Sequence, residues 1–370
     1  MNEINKFISI IKNKNVEYLK DFINKGANIN IQNNNVKINE QNNEFYKSLI
    51  DNKYKWTPIM YAIQYKSTEC FKELLRRNAN VNICEQYGLS PLAIATFYGD
   101  IHYIDLLIKY NADVNIGNIK PIHIACDIGN ILCLYFILKY ITNIDVLDIN
   151  NNTPLMYACK RGHLEIVKIL INSNANINFI NKDGKTALME CMSYLTNTEC
   201  IQLLIDNKCN INYIDNNGQT ALTKAVLSRN IMAALILLKN GADVNIIDKD
   251  GKSLLMHLCK EDNRMFIKLL VWYGININVI DNMKNTALIY FCRYGYTDCI
   301  NILLSTNKCY VDHCNSYGIN AFMVANFYKH NKCIDLLIKY KVNTQNYNDT
   351  NFFPFLYLLD KVMEQDTIRC

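Results

Sequence analysis

Between Asn151 and Lys185 the hydrophobic and polar residues fall into three successive rhythms. Leu155, Ala158 and Cys159 recur at i, i+3 and i+4, the stripe of a short helix. Ile166, Val167, Leu170 and Ile171 then share one face of a second helix, expected from about His163 to Asn172. The following NANINFINKDGK alternates apolar and polar and closes on Asp183-Gly184, a strong short hairpin signal. The punctuation agrees. Thr153 suits an N-cap, Pro154 suits the first helical position, and Gly162 sits where a helix ends left-handed. Glu165 and Lys168, three apart, predict a surface ion pair. The stretch therefore reads as helix, turn, helix, hairpin.

The pattern recurs along the chain. Segments resembling TPLMYACKRG place Thr57, Ser90, Lys120, Thr153, Thr186, Thr220, Ser253, Thr286, Asn320 and Phe353 in one register, with steps of 33, 30, 33, 33, 34, 33, 33, 34 and 33. A second series runs in phase: GANIN (26–30), NANVN (78–82), NADVN (111–115), NANIN (174–178), GADVN (241–245) and GININ (274–278). A fixed period of this length marks a stacked repeat array.

TPLxxAxxGHLEIVKxLLxxGADVN is the ankyrin-repeat pattern, which residues 153–178 match almost position for position, and the chain resembles an ankyrin-repeat protein over nearly its whole length. Elsewhere the match is looser: the helix-ending glycine recurs as Gly99, Gly129 and Gly295 but is Lys66, Arg229, Asp262 and Lys329 in other units. The resemblance implies an all-α solenoid of stacked helix-turn-helix units with β-hairpin loops, its hairpins and inner helices forming a concave binding face. Residues 1–32 are expected to be an N-terminal capping unit with helices near Asn5–Lys12 and Asn15–Asn24, and 33–51 an Asn-rich insertion loop. Residues 52–347 are expected to form nine repeats and 348–370 an incomplete C-terminal cap, about eleven units in all.

Composition narrows the function. Half of the residues are hydrophobic and 20% are charged, enough to bury a core. The net charge of +5 is evenly mixed, which disfavours nucleic acid. The longest apolar runs, 131–138 and 352–359, are far shorter than the roughly 20 residues of a membrane span, and no secretory leader is visible. Fifteen cysteines without framework spacing favour a reducing compartment, so an intracellular, cytoplasmic monomer is expected. Cys126, Cys159, Cys259 and Cys292 share one repeat position and Cys70, Cys133, Cys299 and Cys333 another, the register of core packing.

Catalytic readings fare poorly. GKT (184–186) and GKS (251–253) resemble the end of a phosphate loop but lack its earlier glycine, having Phe179 and Ile246 there. His163 and His330 open outer helices, where local hydrogen bonding is their ordinary role. Cys309, His313 and Cys314 have no second ligand pair, so no metal or cofactor is expected.

That leaves the hairpin tips and inner-helix ends, which the resemblance implies bind partners. The N-terminal units offer Trp56, Gln64, Tyr65, Tyr87, Leu89, Phe97 and Tyr98. The middle offers Asp127, Lys160, Arg161, Lys182 and Lys185, and the C-terminal units offer Lys252, Lys260, Arg293, Tyr294, Tyr317, Phe327 and Tyr328. The face thus reads as aromatic at both ends and basic in the middle, and aromatics and arginine are typical interface anchors. A protein-binding scaffold is the expectation. The alternatives are a phospholigand or oligonucleotide binder using the basic centre, or a host-directed effector or adaptor of a virus or parasite. The resemblance also implies hydroxylation acceptors at Asn82, Asn115, Asn178, Asn212, Asn245 and Asn278.

Overall fold

A computed structural model describes residues 2–34, 55–193, 197–261 and 263–342. The chain divides into two compact units, residues 1–203 and 204–370. The cap expected at 348–370 and most of the 33–51 insertion lie outside the described residues.

Within each unit helices follow one another in packed pairs dictated by the sequence pattern. In the stretch read first they run Pro154–Arg161 and Leu164–Asn172. Thr153 Oγ1 accepts the Met156 N–H at 3.3 Å, Gly162 ends the first helix at φ 76°, and Lys168 meets Glu165 at 2.7 Å. Leu155, Ala158, Cys159, Ile166, Val167 and Leu170 are all buried. The opening pair is Glu3–Lys12 and Val16–Asn24, close to the expected bounds.

The alternation of Gly and Asn in the second sequence series has a backbone cause. Gly26, Asn78, Asn111, Asn174, Gly241 and Gly274 end outer helices with φ between 59° and 92°. Glycine adopts that region freely and asparagine tolerates it. Inner helices show the same need where glycine is missing. Lys66, Arg229 and Lys329 hold the left-handed turn at φ 48°, 58° and 58°, so the helix end survives at a cost of about 1–2 kcal/mol each. Two inner helices, Ala187–Glu190 and Leu254–His257, shorten to one α-turn and continue as 3₁₀ turns, Cys191–Ser193 and Leu258–Lys260.

Among the described residues the hairpins carry no strand ladder, only one isolated antiparallel bridge between Ile280 and Thr286. Each tip is held instead by a single side chain. Asp148, Asn181, Asp215, Asp248, Asp281 and Asn315 donate their N–H to the carbonyl four residues on, at 2.9–3.1 Å. Their Oδ1 atoms accept the N–H groups two and four residues on, as in Asp281 with Met283 and Asn285 at 2.9 and 2.7 Å. The same closure locates the insertion. Asn33 N–H donates to Trp56 O at 2.9 Å, and Lys55 N–H returns to Asn33 O at 2.6 Å. The closing carbonyl lies 23 residues on instead of four, so the 19 surplus residues enter at a hairpin tip.

Candidate functional site

The chemically tempting side chains are committed to the repeat. Cys126, Cys159, Cys259 and Cys292 are fully buried. Burial pushes the Cys126 thiol up and raises Cys133 to about 11, the reverse of a poised nucleophile. His163 and His330 donate from Nε2 to Asp127 O at 2.9 Å and Arg293 O at 3.0 Å, tying each outer helix to the inner helix of the preceding repeat. Their rings lie over Gly129 and Gly295, where an added Cβ would come within 2.7 and 2.8 Å of them. His123 is buried between Val146 O and Asn152 O, and burial lowers its pKa to about 4, so it is neutral. His313 donates to Lys284 O at 2.8 Å, and among the described residues no three His, Cys, Asp or Glu side chains group as metal ligands.

The expected binding face needs correction at three positions. Trp56 and Leu89 are wholly buried and present nothing to a partner. Both precede an N-cap, and the same column holds buried Ile119 and Ile319. An apolar side chain there turns beneath the inner helix; the Trp56 ring lies 5.4 Å from that of Tyr61. That column was the legible signal. Asp127 is buried too, held by the Arg161 guanidinium through two bonds of 2.8 and 3.1 Å.

Gln64, Tyr65, Tyr87, Phe97, Tyr98, Lys252, Arg293, Tyr294, Tyr317, Phe327 and Tyr328 are half-buried, and Lys260 is exposed. Several of the rings cover one another: Tyr65 stacks on Tyr61, Phe97 meets Tyr98 edge-on at 5.5 Å and Phe327 meets Tyr328 at 5.0 Å. The Arg293 guanidinium sits 5.5 Å over Tyr294.

The middle group converges. Asp127, Lys160, Arg161 and Lys185 line a pocket of about 490 Å³ together with Asn150, Asn152, Met156, Tyr157, Asn181, Asp183 and Glu190. The exposed Lys182 lies beside it, its N–H bonded to Asn150 O at 3.0 Å. The pocket is not basic. Its three cations face three carboxylates, Arg161 paired with Asp127 and Lys185 with Asp183 at 3.1 Å. The side chains of Lys160 and Glu190 have no hydrogen-bond or ion-pair partner among the described residues. Behind the wall, buried Asp148 accepts Tyr157 Oη–H at 2.8 Å and Asn152 Nδ2–H at 2.9 Å, and Asn181 donates to Asn152 Oδ1 at 2.8 Å.

Glu190 and Tyr157 were missed because they stand one turn after the N-cap, before the positions that match Lys160 and Arg161 in the repeat. Their position has a rule. Nine residues after each hairpin aspartate stands a side chain that reaches it: Tyr157 and Tyr290 donate to Asp148 at 2.8 Å and to Asp281 at 2.7 Å, and Lys224 and His257 lie at ion-pair distance from Asp215, 2.7 Å, and Asp248, 2.9 Å. At Asn181 the hairpin residue is neutral and the ninth residue is Glu190, half-buried at the pocket.

The asparagines that close the inter-repeat loops act as bridges. Asn82, Asn212, Asn245 and Asn278 accept at Oδ1 the N–H of Asp113, Asp243, Asn276 and Tyr310, at 2.7–2.9 Å. No helix among the described residues is long and apolar enough to cross a membrane.

A family model described as ankyrin repeats (3 copies) matches residues 7–118, 116–181, 173–248 and 255–351. The nuclear factor NF-kappa-B p105 subunit of Gallus gallus is 28% identical over 88 residues, which cover 22% of this chain and 9% of that protein. The similarity thus spans less than a tenth of that relative's length.

Proposed function

The chain belongs to the ankyrin-repeat family, whose repeats generally mediate protein–protein interaction, and from that premise we propose that it is a non-enzymatic scaffold. It binds a protein partner through hairpin tips and inner-helix ends, with the surface around residues 150–190 at the centre. One observation carries this reading: there, polar side chains that the fold leaves at the surface converge on an open pocket, while the nucleophiles and bases of the same repeat are buried or bonded. The half-buried rings Tyr98 and Tyr328 extend the contact surface within their own units. The balance of charge at the pocket counts against a phospholigand or oligonucleotide, whose binding would need a surplus of cations.

Affinity purification of the intact chain from its own cells, beside a Tyr98→Ala, Lys182→Ala double variant, tests the proposal. A protein recovered by the parent and lost by the variant, with unchanged melting, supports it. Equal recovery by both would move recognition elsewhere, and a steep loss of binding with salt would return the phospholigand. Enzymatic hydroxylation of at least one of Asn82, Asn115, Asn178, Asn212, Asn245 and Asn278 is part of the same proposal. Co-expression with an asparaginyl hydroxylase should add about 16 Da, one oxygen, to a peptide carrying one of them; spectra without that shift remove it.

A further inference from the structure

We propose that the pocket at Asn152, Tyr157 and Glu190 is a socket for a basic side chain, arginine or lysine, of the protein partner, with the Glu190 carboxylate as its counter-charge. The inference rests on the reading that this face binds a protein, and it names what enters.

The geometry favours a cation over an anion in three respects. First, Glu190 occupies the position where Tyr157 and Tyr290 donate to a hairpin carboxylate and Lys224 and His257 lie at ion-pair distance from one. Its own hairpin residue, Asn181, is already engaged with Asn152 and with the backbone N–H groups of Asp183 and Lys185. Among the described residues Glu190 is thereby left half-buried with no donor, and a partly desolvated carboxylate gains more from an incoming cation than an exposed ammonium gains from an anion. Lys160, the other pocket side chain without a partner among the described residues, is exposed. Second, the two remaining cations of the pocket are spent on Asp127 and Asp183. Third, the wall is backed by Asp148, whose Oδ2 takes bonds from neutral Tyr157 and Asn152 only. Counting it and the adjacent Lys182, four carboxylates stand at the pocket against four cations, so the surroundings carry no excess of positive charge that would repel a basic side chain. The amide oxygen chemistry of Asn150 and Asn152 and the Tyr157 hydroxyl suit the several N–H donors of a guanidinium.

The test uses the full chain and capped single residues as probes. N-acetyl-arginine methylamide, N-acetyl-glutamate methylamide and inorganic phosphate are titrated while backbone amide resonances are followed by NMR. The arginine probe should shift Asn152, Tyr157 and Glu190 saturably, and the glutamate and phosphate probes should not. Glu190→Gln, which keeps shape and removes charge, should weaken the arginine probe by about tenfold to a hundredfold. Lys160→Gln, which removes a repelling cation, should strengthen it. Shifts produced by glutamate or phosphate instead, or an arginine affinity unchanged in Glu190→Gln, overturn the socket. If the native partner is lost by the Tyr98→Ala, Lys182→Ala variant yet binds Glu190→Gln at full strength, the face stands and the socket falls. If it binds every variant equally, both fall.

Discussion

At Asp215, Asp248 and Asp281 the hairpin carboxylate meets Lys224, His257 or Tyr290 nine residues on, and the pair locks the hairpin to the inner helix that follows it. At Asn181 the same two positions hold a neutral amide and Glu190, and no bond joins them. The backbone hydrogen bonds of the tip are nonetheless the same in both places, because Oδ1 of asparagine accepts as Oδ1 of aspartate does. The comparison separates two jobs carried by one residue. Shaping the hairpin needs a single side-chain oxygen. Joining it to the next helix needs the second oxygen and a donor, and where that second job lapses the helix position becomes available for something else.

The largest expected effect removes the lock in one region and its counterpart in the other. Asp215 has no exposed carboxylate surface and Lys224 is 17% exposed, so Lys224→Ala strands a buried charge. Its cost should be about 3 kcal/mol, against less than about 1 kcal/mol for Glu190→Ala at the equivalent position. Urea unfolding of the two variants measures the difference, and equal costs would erase the distinction.

A titration separates the regions next. His123 is held neutral because burial lowers its pKa from 6.5 to about 4. The unfolded chain takes up that proton first as pH falls, so the stability it contributes is complete above about 6.5 and is lost on the way to 4, about 3 kcal/mol in all. Asp248 behaves oppositely in origin. Burial pushes its carboxyl up, but the hydrogen bonds from His257 and from the Lys252 and Asp250 N–H groups outweigh it and hold the pKa below 3.8. Its contribution is present above 3.8 and is lost as pH falls through the lowered value. Amide exchange between pH 7 and 4.5 should therefore accelerate around 120–152 and leave 248–257 unchanged; the reverse order would contradict both assignments.

A smaller effect concerns the tyrosine version of the lock. Tyr290 is buried and Tyr157 half-buried, so Tyr290→Phe, which strips a donor from buried Asp281, should cost about 1–2 kcal/mol and Tyr157→Phe about half as much. Thermal melts of the two variants check the ratio. Smallest is a gain. Lys329→Gly should relieve the left-handed strain of an inner-helix end and stabilise by about 1 kcal/mol. The control, Gly295→Lys, places a side chain against His330 and should lose more than that.

Much of the fold was legible because it is written many times. Thr153, Pro154, Gly162 and the stripe of Leu155, Ala158 and Cys159 each have counterparts at one period, and the insertion declared itself as a surplus over that period. The candidate face was less legible. Lys160, Arg161 and Lys185 do share a pocket, but their basicity was an artefact of considering only hairpin tips and helix ends. The carboxylates that balance them are Asp127, counted as surface and in fact buried, Asp183 at the hairpin tip, and Glu190, which stands one turn after its N-cap. Trp56 and Leu89 misled for a related reason. Every apolar residue in the column before the N-cap, Trp56, Leu89, Ile119 and Ile319, is buried, and only the column taken together, not the single position, reveals it.

The central claim is that position 190 is released from the structural role its counterparts keep, and serves recognition instead. The most direct measurement pairs two readouts on Glu190→Gln: affinity for the partner recovered with the intact chain, and the urea midpoint. The account predicts an affinity loss of about tenfold or more with the midpoint unmoved. An unchanged affinity, or a midpoint that falls as it does in Lys224→Ala, would contradict it.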